Sequence, residues 1–391
     1  MSEQLSPPPI ESDAMRAEHV LEILDTKYQQ MTPVITRLLE VRHELFSLPE
    51  ATEDNPAGTP FSHELALTDQ LYDDPSYNIG FFYADLGLRN HGAAEFHNER
   101  EKYNPLPNDD EELLAKKAAY RQAILTAGLE LGFLKQPRIA ERTALDMRLG
   151  IEASSLSPIE RPVDAVIIPA AAGVSNAKRL RDAIRNIESG AIKTNRLIFA
   201  TCDRPVNDAE KERTSASGFR AGDTEYESVQ LVIEELLHTP LPDEHQKPVH
   251  YGHNLVAKQI DTEILIGETP IELSIVSAPF DPERIVNNRP ADRANTEETF
   301  LAITDLLTPG RGLVVLESHD TWVPYQEAVG EKVFGLALGK DVVGTGPQNS
   351  DRLTNRDGQL DITNAEGVVD EIAKTYSFLT DVVIAAKNQQ A

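Results

Sequence analysis

Beyond about residue 160, apolar positions fall in short Val/Ile/Leu-rich runs separated by longer stretches with helical spacing. The runs predict strands at 163–168, 196–200, 272–277 and 312–316. The stretches between them predict helices at 176–189, 223–237, 294–307 and 323–336. Runs that are apolar throughout, and not alternating, belong to strands buried on both faces, so the pattern reads as βαβ units around a mostly parallel sheet. Thr262–Gly267 and Ile271–Ser277 flank a Glu-Thr-Pro turn and predict a hairpin at one edge. Residues 344–363 are turn-rich, and 365–387 predicts a terminal helix that closes the domain.

The first 155 residues have a different texture. Residues 1–11, with Pro7, Pro8 and Pro9, predict an extended tail. Ser12 is a helix cap by pattern, with Val20, Leu21, Ile23 and Leu24 on one face. Thr32-Pro33 is expected to stop that helix and start another, because proline suits the first helical position. The stretch 49–108 is rich in Pro, Asn, Asp and Gly and reads as short helices and long loops. A helix is predicted from Asp109/Asp110 to about Leu131, with acids in its first turn, and another over 137–148. The fold class is therefore α/β: a mainly helical domain at 12–155 precedes a Rossmann-like sheet flanked by helices at 160–387.

In an open α/β sheet, ligands bind outside the carboxyl ends of the strands, and polar residues follow all four predicted strands. Ser175, Asn176 and Arg179 follow the first, where Ser175 or Asn176 is a candidate cap and Arg179 sits one turn into the helix. Asp203 and Arg204 follow the second, beside Cys202. Arg293, Asn295, Thr296 and Glu298 follow the third, with Arg284 and Arg289 just upstream. Asn295 or Thr296 is a candidate cap, with Glu298 returning a bond. His319, Trp322, Tyr325 and Gln326 follow the fourth. Arginine clamps anions, His319 is a candidate proton-transfer group because the free pKa of histidine lies near neutrality, and the two aromatics can stack on a ring or pack the helix on the sheet.

Charge narrows the partners. Thirty-seven Lys and Arg against 64 Asp and Glu leave a formal charge of −27, which disfavours nucleic acid and anionic membranes. Cys202 is the only cysteine, so an intramolecular disulfide and a cysteine-built zinc site are excluded. No apolar run approaches the roughly 20 residues of a membrane span. The N-terminal MSEQLSPPPIESD lacks the basic and apolar parts of a secretory signal. A cytoplasmic protein is the expectation. HGAAEFHNERE lacks HExxH spacing, and NRDGQLD lacks the acids of an EF-hand loop, so no metal ligands are assigned. No cofactor is identified.

The order of these motifs resembles the SanA/ElyC/YdcF-like family of Rossmann-type domains of unknown function, over about residues 160–345. RANTEETF at 293–300 is similar to that family's Asn-Thr-x-Glu-Asn signature at Asn295, Thr296 and Glu298, with Thr299 in place of Asn. GDTEYESV at 222–229 resembles its acidic helix start, and this implies a role for Glu225 or Glu227. ESHDTWVPYQEA at 317–328 stands where the family carries Thr-Ser-x-x-His, and Cys202-Asp203-Arg204 replaces a family Gly-Gly.

The expectation is a small anionic or nucleotide-like ligand at the strand ends, bound with or without turnover. His319, Asp203 and Glu225 are then the candidate proton-transfer groups. The alternative is a non-catalytic scaffold whose helical half binds a partner protein, whose identity the sequence does not give.

Overall fold

The computed structural model describes residues 13–46, 109–134, 151–152 and 158–349 apart from 172, 252–254, 281–284, 287–288 and 291–292, together with parts of 368–383. The expectations for 1–12, 49–108, 137–148 and 350–367, and for Arg284, lie outside the described residues. Seven strands form the main sheet: β1 Ala165–Pro169, β2 Arg196–Cys202, β3 His245–Pro248, β4 Val256–Ile266, β5 Thr269–Ala278, β6 Gly312–Glu317 and β7 Lys340–Thr345. Their spatial order is β7-β6-β1-β2-β5-β4-β3. The first five in that order run parallel, while β4 and β3 are added antiparallel beyond β5. All five residues of β1 are buried, as its unbroken AVIIP requires at the centre of a sheet covered on both faces.

Helices α1 Asp13–Phe46, α2 Glu111–Glu130, α3 Val174–Glu188, α4 Asp208–Ala216, α5 Glu225–Leu237, α6 Thr296–Leu301 and α7 Val323–Gly330 complete the described framework. A π-helical turn, Glu331–Gly335, continues α7. One sheet face packs Val166, Ile168, Phe199 and Ile275 on Leu180, Ile184, Val229 and Ile233 from α3 and α5. The other packs Ile167, Ile198, Val276 and Leu316 on Phe300, Val329 and Phe334. Chain order along the sheet runs outward from β1 through β2 to β5, then returns to β6 on the far side of β1. The switch point therefore lies between the carboxyl ends of β1 and β6.

Several local expectations are corrected. The hairpin β4–β5 forms, but β3 covers it, so it is not the edge. The third crossover helix is short, with α6 ending at Leu301 and a single 3₁₀ turn at Thr304–Leu306 following. Thr32-Pro33 does not divide two helices, because α1 runs unbroken through Pro33. A proline inside a helix costs roughly 3 kcal/mol. Burial offsets this cost. One continuous apolar face, Val20, Leu24, Tyr28, Met31, Val34, Ile35 and Leu38, is buried against α2. That same core takes in Ile372, Tyr376, Leu379 and Val383, and Tyr376 stacks on Tyr28 with centroids 5.1 Å apart. The helical residues near the C-terminus therefore complete the N-terminal helical core. They also touch the sheet domain, through Phe378 and through Lys374 over the Tyr325 ring.

Candidate site at the β1–β6 switch point

Strand register builds the site. Thr201 at the end of β2 and Glu317 at the end of β6 continue the alternation that faces α3 and α5. Both are fully buried. Between them, above the end of β1, lies Arg179 of α3, 1 % exposed, whose Nη1 donates to the carbonyl of Pro169. Its guanidinium carbon is 5.3 Å from the centroid of Trp322, and His319 tilts on the same indole at 5.3 Å between centroids. Burial lowers the Arg179 pKa to about 10. The carboxylates of Glu225, Glu317 and Glu371 oppose that fall and keep it charged at neutral pH. One arginine thus meets acids from α5, from β6 and from the C-terminal helical segment.

Glu225 sits at the first position of α5, behind a Thr224–Glu227 capping box. Its carboxylate accepts from Thr201 Oγ1 at 3.4 Å, Cys202 Sγ at 3.8 Å and Arg204 Nε at 2.8 Å. Arg204 also holds Glu210 bidentately at 3.0 and 3.1 Å. Burial alone would lower the Arg204 pKa, but these two acids outweigh it and raise it. Burial, reinforced by Glu225, pushes the Cys202 thiol up to about 12, so it is a neutral packed group at ordinary pH.

The predicted residues divide into those brought together and those drawn elsewhere. Arg179, Arg204, Glu225, His319 and Trp322 converge. Asp203 turns away to Lys258 on β4, at 2.6 Å. The expectation that Ser175 or Asn176 caps α3 is corrected: Gly173 is the cap, with φ 51°, and makes no side-chain bond. A Cβ there would strike Thr214 Oγ1 at 1.7 Å, so glycine is required by both backbone and space. Asn176 instead pins the β1–α3 loop. It accepts from Ala171 N at 2.8 Å and donates back to Ala171 O. Asn295, and not Thr296, caps α6, exchanging bonds of 2.8 Å each way with Glu298. Arg293 is exposed beside that cap, and its charge reaches Cys202. Tyr325 leaves the site to meet Phe378 edge-on, with Lys374 4.2 Å from its ring centroid. Ser175 is half-buried.

Sequence reasoning did not single out Glu317, Ser318 or Glu371. An acid closing an otherwise apolar strand was a usable signal for Glu317. Ser318 Oγ, Gln326 Oε1 and Arg179 Nε are buried with no hydrogen-bond partner among the described residues. Such atoms are costly unless something outside the protein, water or ligand, meets them. Among the described residues no group of three or more His, Cys, Asp or Glu is placed to hold a metal ion, and no helix is long and apolar enough to cross a membrane. No family model, curated protein or solved structure matches the chain.

Proposed function

We propose that the chain binds a small polar ligand with an anionic group, of nucleotide-like size, at the β1–β6 switch point. One observation carries the reading. Buried arginine, serine and glutamine atoms lacking hydrogen-bond partners sit on the loops and helices that open from β1 and β6, where open α/β sheets receive ligands. Arg179 supplies charge, Ser318 and Gln326 supply polar contacts, and Trp322 forms the wall. His319 is the proton carrier if the ligand is turned over, with Glu225 held in place by Arg204. Membership of the SanA/ElyC/YdcF-like group is the finer form of this proposal, and it rests on the 293–300 and 222–229 motifs.

A second reading has specific support. Asn176, Glu225, Asn295 and Glu298 all find partners within the protein, as in a scaffold. Thermal shift separates the two. Phosphate- and carboxylate-bearing metabolites, nucleotides included, are screened against the wild type and against Ser318→Ala and Gln326→Leu. A true ligand at a hundredfold excess over Kd stabilises by about 2.7 kcal/mol. Both variants should weaken that response. A panel without response, or one answered by cations alone, sinks the ligand reading and leaves the scaffold.

A further inference from the structure

Away from the strand-end site, α1 seats on the π-helical turn after α7. The contact is close: a Cβ at Gly335 would lie 3.0 Å from Val20 Cγ2 and 3.2 Å from Glu331 Oε2. Beside it is a depression of about 180 Å³ lined by His19, Val20, Arg311, Gly335, Gly339, Lys340 and Asp341. The Lys27–Glu327 ion pair spans the seam, Nζ to Oε2 at 2.8 Å. Under the helix lies the Glu331 carboxyl, 5 % exposed, within a turn whose i→i+5 pattern is rare and recurs at functional positions.

We propose that the docking of α1 is a proton-operated latch, in which the Glu331 carboxyl takes up a proton as α1 seats and releases it as α1 lifts. The groups around it set the balance. Glu327 on α7 and Asp341 on β7 repel its charge, and Lys27 on α1 attracts it. Arg161 ties Asp341 at 2.6 Å, Lys340 is bound to Asp164, and Lys332 to Glu297 of α6 at 2.8 Å, so these cations are committed elsewhere. His19 and Arg311 line the rim. Burial, helped by Glu327 and Asp341, raises the Glu331 pKa from its ordinary range to about 7. Lifting α1 returns it to water. The docked state therefore binds the proton more tightly. Docking is strongest below about pH 4.5, weakens as the pH rises toward 7, and is level above that.

The test uses the full chain and hydrogen exchange of α1 amides, expressed relative to the intrinsic rate at each pH. Between pH 5.5 and 7.5, opening of residues 20–38 should increase tenfold or more in the wild type, since each unit of pKa difference is worth a factor of ten. Glu331→Gln should flatten that dependence. Lys27→Met keeps the carboxyl and removes its cation, so the rise should extend to higher pH. It provides the decision if Glu331→Gln does not fold. A wild type with pH-independent protection of α1, or a Lys27→Met profile unshifted from wild type, overturns the latch.

Discussion

Arg179 and Trp322 are stacked across the switch point, one from α3 and the other from the turn after β6, with 5.3 Å between guanidinium carbon and ring centroid. The contact joins the first and fourth crossover units at the place where the chain reverses its progress along the sheet. A cation held this way keeps its charge out of water while facing Glu225, Glu317 and Glu371. Its removal would therefore strand acids, and not merely lose a contact.

Arg179→Met should destabilise the protein by roughly 3–5 kcal/mol, the usual cost of leaving one side of a buried charge arrangement uncompensated. Adding Glu317→Gln should recover part of the loss, because it removes one stranded charge. Urea denaturation of the single and double variants measures both. A double variant no more stable than the single one would show that Glu317 does not depend on the arginine.

Cys202 should resist alkylation in the native state at pH 8, since only the thiolate reacts and burial beside Glu225 pushes the thiol up to about 12. The sign for stability follows. The folded state holds the thiol proton more tightly than the unfolded chain, so this contribution is complete below the ordinary thiol range. It declines as the pH climbs from there toward 12. Rates of iodoacetamide labelling from pH 7 to 10, in the native protein and in urea, decide the matter. Native labelling as fast as in urea would contradict the burial.

Residues 156–391 expressed without the helical region should not behave as an intact unit. That fragment keeps Ile372, Tyr376, Leu379 and Val383 but lacks the α1 and α2 surfaces that bury them. Expected results are weakened C-terminal helicity by circular dichroism and self-association by light scattering. Co-expression with residues 1–155 should reverse both. A monomeric fragment with one cooperative transition and full helicity would make the two parts separable.

The sheet was legible because its central strands are buried on both faces and so carry unbroken apolar runs, as AVIIP and GLVVL do. The elements that went unread carry none. β7, Lys340–Thr345, is a half-covered edge strand with two valines among polar neighbours, and β3, HQKP, has no large apolar residue at all. α4 buries only Thr214 of its nine residues, so no stripe marks it. Pro33 misled because a local rule was overridden by a tertiary face that runs past it. For the site, the strand ends were correctly located, but the pairings were not readable. Whether Glu225 meets Arg204, or Asp203 meets Lys258, depends on strand register and on charges up to 55 residues apart in sequence.

The helical core that joins Leu24 and Ile124 to Ile372 and Leu379 sets a timetable for synthesis. Translation proceeds at roughly 5–20 residues per second, so the 326 positions between 46 and 372 take on the order of 15–65 s. Throughout that interval the apolar face of α1 has emerged but its last partners have not. The main sheet, whose seven strands all lie within 165–345, can assemble before the helical body closes. Early α1 is then a segment that chaperones would be expected to shelter, and a stop codon shortly before 368 would leave the part of its face that meets Ile372, Tyr376 and Leu379 permanently uncovered.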